Sequence, residues 1–123
     1  MVSQWLLVAL GGGAGAVLRF YISETVPSQA FPWATLSVNL VGSFLLGVVM
    51  AASLLNILGE TEALLLGMGL LGGFTTMSTF SVETMMMADE GRWMAAATYC
   101  LVSTSIGPLL AWVGWKGGQA WLG

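Results

Sequence analysis

Charged residues are scarce in this sequence, and histidine is absent. Only 7% of the 123 residues are charged, three Lys or Arg against six Asp or Glu, whereas a soluble domain has roughly 25%. No basic cluster is present, which excludes nucleic acid as a partner. The single Cys100 excludes a disulfide framework, and without histidine the common metal sites are excluded too. We interpret residues 1–123 as one domain of an integral membrane protein without an organic cofactor.

Long apolar stretches fill the space between these few charges, and 57% of the residues are hydrophobic. A helix that crosses a bilayer needs about 20 mostly apolar residues. Four stretches meet this length, at roughly 2–22, 33–58, 62–88 and 93–115. The first has no basic residues before it and no cleavage site after it, so we interpret it as a retained helix. The predicted fold class is an all-α membrane protein with four transmembrane helices, and the short connections predict antiparallel neighbours.

The third stretch carries an unusual polar run. Two glycines, Gly72 and Gly73, are followed within a few positions by five hydroxyl residues: Thr75, Thr76, Ser78, Thr79 and Ser81. Irregular backbone at membrane depth is tolerated only where protein or a water-filled cavity covers it. We therefore predict that the third helix is broken near the bilayer midplane and lines a polar path.

A second polar face lies on the second stretch, where Thr35, Asn39 and Ser43 recur at a spacing of four. Asn39 alone would most simply form an interhelical hydrogen bond, but with the hydroxyl run it favours a pathway. Glu83 and Arg19 lie toward helix ends, where each is expected in a water-filled vestibule or in a pair.

The centres of all four stretches lack charged residues. A central carboxylate, expected of a proton-coupled drug exporter, is missing, as is a central cation that would hold an anion tightly. The remaining groups are hydroxyls, an amide and the positive edge of the Phe80 ring. Such weak donors favour passage of a small anion, since the ion is also able to leave. This predicts transport rather than catalysis.

Three stretches resemble the Fluc (CrcB) family of fluoride channels, and the resemblance extends over nearly the full chain. They are residues 12–19 (GGAGAVLR), 35–44 (TLSVNLVGSF) and 72–83 (GGFTTMSTFSVE). The resemblance implies an antiparallel, dual-topology homodimer of four-helix subunits with two pores. It also implies passive fluoride export across the cytoplasmic membrane of a bacterium or archaeon.

The same resemblance implies particular site residues. A structural sodium ion would be held at the dimer centre by the backbone carbonyls of Gly72 and Thr75. Asn39 would be the pore amide, and positions 77 and 80 would be the two pore-facing aromatics. Further polar lining would come from Ser78, Thr79, Ser81, Tyr99, Ser103 and Thr104.

Met77 departs from the family pattern, because the family usually has Phe at this position. A flexible methionine with a weakly positive methyl group could replace the ring edge or leave the site weakened. Some organisms carry two such chains that work as a pair, so a paralogous subunit is an alternative to the homodimer.

Two other classes of membrane protein share some of these features. A small multidrug-resistance-like exporter is also short and four-helical with dual topology, but it uses a membrane-embedded Glu in its first helix. Residues 2–18 contain no acid. A non-transporting assembly subunit would explain the glycines but not the polar third stretch.

Overall fold

The computed structural model describes residues 3–123, which fold into helices without any strand. The helices are α1 (Gln4–Thr25), α2 (Trp33–Leu54), α3 (residues 60–74), α4 (Met77–Asp89) and α5 (Trp93–Leu122). Together α3, Thr75, Thr76 and α4 make up the 30-residue span Glu60–Asp89, so four helical spans are long and apolar enough to cross a membrane. The prediction of four apolar spans with a broken third one is confirmed.

Helix α1 begins after Ser3, whose Oγ accepts a hydrogen bond from the Trp5 N–H at 3.2 Å. The predicted start at residue 2 lies outside the described residues. At the other end the helix reaches Thr25 rather than residue 22, and the Thr25 hydroxyl donates to the Tyr21 carbonyl at 3.0 Å. Bonding to the preceding turn satisfies a hydroxyl within a helix, so the polar residues after 22 did not stop it.

The predicted end of α2 at residue 58 was wrong, because the helix ends at Leu54. Just beyond, Asn56 has a positive φ of 58°, a left-handed conformation that Asn adopts more readily than most residues. The apolar Ile57 and Leu58 continue the hydrophobic pattern but lie in the turn.

The predicted end of the last helix at residue 115 was also wrong, since α5 continues to Leu122. The glycines near its end do not stop it, because they serve close packing against α2. A Cβ at Gly114 would lie 2.1 Å from the Phe44 carbonyl oxygen, and one at Gly118 would lie 2.8 Å from the Ala51 Cβ.

Helix α3 is wound unusually, because Leu64–Leu71 form a π-helix, a rare form that often occurs at functional sites. Glycines let α3 pack directly on α1. A Cβ at Gly15 would lie 2.0 Å from the Leu70 carbonyl oxygen, and one at Gly73 would lie 2.2 Å from that of Gly12. This close backbone approach is how small residues bring membrane helices together, and it fixes the end of α3 beside α1.

Candidate ion pathway

The break between α3 and α4 consists of two extended residues. Thr75 has φ −85° and ψ 158°, and Thr76 has φ −150° and ψ 124°. Asn39 of α2 pairs with Thr76 on both sides of its amide: the Thr76 N–H donates to Oδ1 at 2.8 Å, and Nδ2 donates to the Thr76 carbonyl at 2.9 Å. One side chain thus satisfies both backbone groups of Thr76.

Thr76 also starts the second half of the span. Its Oγ1 accepts a hydrogen bond from the Thr79 N–H at 3.2 Å, which is an N-cap, and it donates to the Thr79 hydroxyl at 3.1 Å. The Ser78 hydroxyl lies 3.4 Å away. Sequence reasoning left Thr76 out of the site residues, although a Thr ahead of a helical pattern is a common N-cap signal.

Some backbone carbonyls at the end of α3 accept a hydrogen bond, and others do not. The Leu71 carbonyl accepts from the Thr75 hydroxyl at 3.0 Å, and the Gly73 carbonyl accepts from Nε of Arg19 at 3.2 Å. Arg19 is therefore hydrogen-bonded to the backbone next to the break. Within residues 3–123, no hydrogen bond ends on the carbonyl oxygens of Gly72 and Thr75.

Unpartnered carbonyls of unwound backbone are the groups with which membrane proteins coordinate sodium, so Gly72 and Thr75 fit the predicted donor set. Two carbonyls are fewer ligands than such a hard cation takes, and further oxygens would have to come from elsewhere. The described residues contain no cluster of His, Cys, Asp or Glu for another kind of metal site.

Glu83 lies inside the bundle with both carboxylate oxygens hydrogen-bonded. The Tyr99 hydroxyl of α5 donates to Oε1 at 2.7 Å, and the Thr35 hydroxyl of α2 donates to Oε2 at 3.0 Å. Tyr99 is fully buried and Thr35 is 8% exposed. Both partners are neutral hydroxyls, and Glu83 itself is half-buried. Thr35 was missing from the predicted site residues.

Phe80 and Met77 have different surroundings in the protomer. Phe80 is buried and packs edge-on against Tyr99, with ring centroids 4.9 Å apart. Met77 is 72% exposed and lines a groove of about 690 Å³ between α2 and α3, together with Asn39, Ser43, Thr75 and Thr76. The exposed Ser81 donates its hydroxyl to the Met77 carbonyl at 2.9 Å.

Two hydroxyl residues of α5, Ser103 and Thr104, differ in burial and hydrogen bonding. The buried Ser103 Oγ has no hydrogen-bond partner among the described residues, and it lies one turn from Tyr99 on the same helix face. Thr104 is exposed and donates its hydroxyl to the Cys100 carbonyl of its own helix at 2.7 Å. Ser103 therefore shares a helix face with Tyr99, whereas Thr104 bonds to its own helix.

Comparison with known proteins gives consistent matches along the chain. The family model described as CrcB-like protein, Camphor Resistance (CrcB), matches residues 6–115. A Thermus thermophilus protein named fluoride-specific ion channel FluC is 42% identical over 125 residues, covering 99% of this chain and 98% of that protein. A Shewanella oneidensis protein of the same name is 43% identical over 116 residues, covering 92% and 94% respectively.

Proposed function

The chain belongs to the CrcB family, and from this membership we propose that it is a fluoride-selective channel that exports fluoride passively. Its relatives are named as ion channels and not as enzymes, in agreement with the prediction from sequence. With four membrane-spanning helices, the chain is a multi-pass protein of the cell membrane.

The observation that carries the proposal is a set of weak donors inside apolar helices. The Ser103 hydroxyl is buried without a partner among the described residues, and Asn39 uses one of its two Nδ2 hydrogens on Thr76. Phe80 packs against Tyr99, and the edge of its ring is positive because of the aromatic quadrupole. Such groups are able to replace the water around a small anion.

The full charges near this path are already engaged. Both oxygens of Glu83 accept hydrogen bonds, and Arg19 donates to the Gly73 carbonyl. A free cation would trap an anion, and a free carboxylate would repel it. These bonds use donors and acceptors that would otherwise face the ion, and binding by the remaining weak donors lets the ion leave, which fast conduction requires.

We further propose that the channel is an antiparallel homodimer with dual topology and two pores. The protomer exposes the groove of about 690 Å³, whose lining combines methionines with the polar residues of the break. A second copy would cover this surface and bring Met77, 72% exposed in the protomer, into the path. A paralogous subunit would cover it in the same way.

A sodium ion at the dimer centre is part of this proposal. An antiparallel twofold axis at the break would bring the Gly72 and Thr75 carbonyls together with those of the copy. Four carbonyl oxygens supply a better cage than the two of one protomer, and the ion would link the subunits structurally.

Anion efflux from liposomes that contain the purified protein tests the function. We expect rapid release of fluoride without a proton gradient and no comparable release of chloride. Protein-free liposomes supply the control. Equal efflux of the two anions, or strict dependence on a pH gradient as in a drug exporter, would overturn the proposed function.

A further inference from the structure

The connection between α1 and α2, residues 26–32, brings an aromatic side chain against Tyr99 that sequence reasoning did not single out. We propose that Phe31 is a positioning residue, which holds the Tyr99 hydroxyl on Glu83 at one end of the path. This inference rests on the proposed function, because it assigns Phe31 a part in the same path.

Phe31 is partly buried and packs against the core cluster that contains Tyr99 and Phe80. Its ring meets the Tyr99 ring edge-on, with centroids 5.6 Å apart and an interplanar angle of 75°. Phe80 meets Tyr99 at 4.9 Å and 63°. Tyr99 therefore contacts two aromatic rings: Phe80, which belongs to the proposed ion path, and Phe31, which belongs to the connection between α1 and α2.

Several bonds hold the connection in place. The Arg92 guanidinium, at the turn between α4 and α5, donates to the Ala30 carbonyl next to Phe31. The Ala34 N–H donates to the Ser28 hydroxyl at 3.0 Å. On the outer side the Phe31 ring contacts Trp33, with centroids 4.8 Å apart. Phe31 is thus a fixed support for Tyr99 and not a loose loop residue.

The position of the Tyr99 ring matters because its hydroxyl is the donor to Oε1 of Glu83, while Thr35 serves the other oxygen. If the ring moved, Oε1 would lose its donor, and the less compensated negative charge would face the path. A charge that is poorly solvated inside a protein acts strongly on its surroundings. Repulsion of an approaching anion would then lower the flux.

The first test compares fluoride efflux per assembled dimer for Phe31→Leu, Phe31→Tyr and Phe20→Leu. We expect Phe31→Leu to lower flux between about twofold and tenfold, the range that an edge-to-face aromatic contact supports. Phe31→Tyr should retain the flux because the ring remains. Phe20, 64% exposed on α1, is the matched control, and its replacement should leave flux unchanged. Wild-type flux in Phe31→Leu would overturn the inference.

The second test repeats Phe31→Leu in a Tyr99→Phe background. If Phe31 acts through the Tyr99 hydroxyl, its replacement should have no further effect there, because the hydroxyl is already gone. An equal fold-loss in both backgrounds would show a general packing role and overturn the inference.

The surface variant Arg92→Gln weakens the attachment of the connection without touching the aromatic cluster. It should lower flux in the same direction as Phe31→Leu, and unchanged flux would count against the inference. If the unmodified protein releases fluoride selectively while all of these variants match it, only the role of Phe31 fails. If the unmodified protein does not select fluoride, the proposed function itself fails.

Discussion

At the scale of single residues, Phe80 is either a residue of the ion path, which offers its ring edge, or a packing residue of the core. Its burial alone does not distinguish these two roles. We expect Phe80→Ile to stop fluoride flux while the dimer still assembles, because isoleucine keeps an apolar side chain but removes the positive ring edge. Flux per correctly assembled dimer in liposomes is the measurement.

Phe74 provides a matched control for this variant. It is as exposed as Phe80, at 8%, but lies in the separate cluster with Val38 and Leu71. Phe74→Ile should cost a similar amount of packing and retain flux per dimer. Wild-type flux in Phe80→Ile would place the ion path on another face of α4.

The Asn39 amide both donates to and accepts from the Thr76 backbone. Replacing its nitrogen with an oxygen therefore tests whether this pairing stabilises the break. Asn39→Asp keeps an oxygen to accept from the Thr76 N–H but sets a second oxygen against the Thr76 carbonyl in place of the Nδ2 donor. Leaving a fully buried group unsatisfied costs about 1–3 kcal/mol, and the cost is smaller at this part-buried pair. We expect a lower thermal unfolding temperature and reduced flux per dimer. Unchanged values of both would show that this pairing does not stabilise the break.

At the scale of helices, the contact between α1 and α3 depends on glycine. Gly15→Ala would place a Cβ 2.0 Å from the Leu70 carbonyl oxygen, whereas a Cβ at Gly13 meets nothing within 4 Å. Overpacking of this kind costs typically 1–3 kcal/mol. Thermal unfolding of the purified protein should therefore show Gly15→Ala destabilised and Gly13→Ala close to wild type, and the reverse order would contradict the packing.

Much of the helical framework was predictable because apolar length is a local property of the sequence. The break was predictable too, since Gly72 and Gly73 ahead of hydroxyls conflict with a lipid-facing helix. The ends of α2 and α5 were not, because the apolar Ile57 and Leu58 continue the hydrophobic pattern past the end of α2, and Gly114 and Gly118 continue α5 through contacts with α2. The π-helix at Leu64–Leu71 has no composition that distinguishes it from an ordinary apolar helix.

For the candidate site, the sequence predicted which residues take part but not which of them contact each other. Asn39 was singled out from its polar face, yet its partner Thr76 depends on how α2 meets the break. The contacts of Glu83 with Tyr99 and Thr35 join three helices, and Phe31 reaches Tyr99 from a connection without any pattern of its own. Such contacts arise from tertiary packing, which spacing along one helix does not encode.

At the scale of the whole molecule, the proposed sodium ion ties assembly to ionic composition. If carbonyls of Gly72 and Thr75 from two subunits hold it, purification with a large organic cation in place of sodium should lower the dimer fraction, because a ligand of the folded dimer stabilises it by mass action. Light scattering after size exclusion, at constant ionic strength, measures the fraction. Adding sodium back should restore the dimer, and a fraction independent of sodium would contradict the site.

The length of α5 has a consequence for how the protein meets its bilayer. At 1.5 Å per residue, its 30 residues extend about 45 Å, beyond the roughly 30 Å of the hydrocarbon layer. Tilting accommodates part of this excess, and the remainder reaches into the headgroup layer, since the bilayer with its headgroups is about 40–45 Å thick. In an antiparallel pair the two helix ends would lie at opposite faces. A reporter domain fused after Gly123 would then lie at the membrane surface on both sides at once, where the two orientations are counted separately.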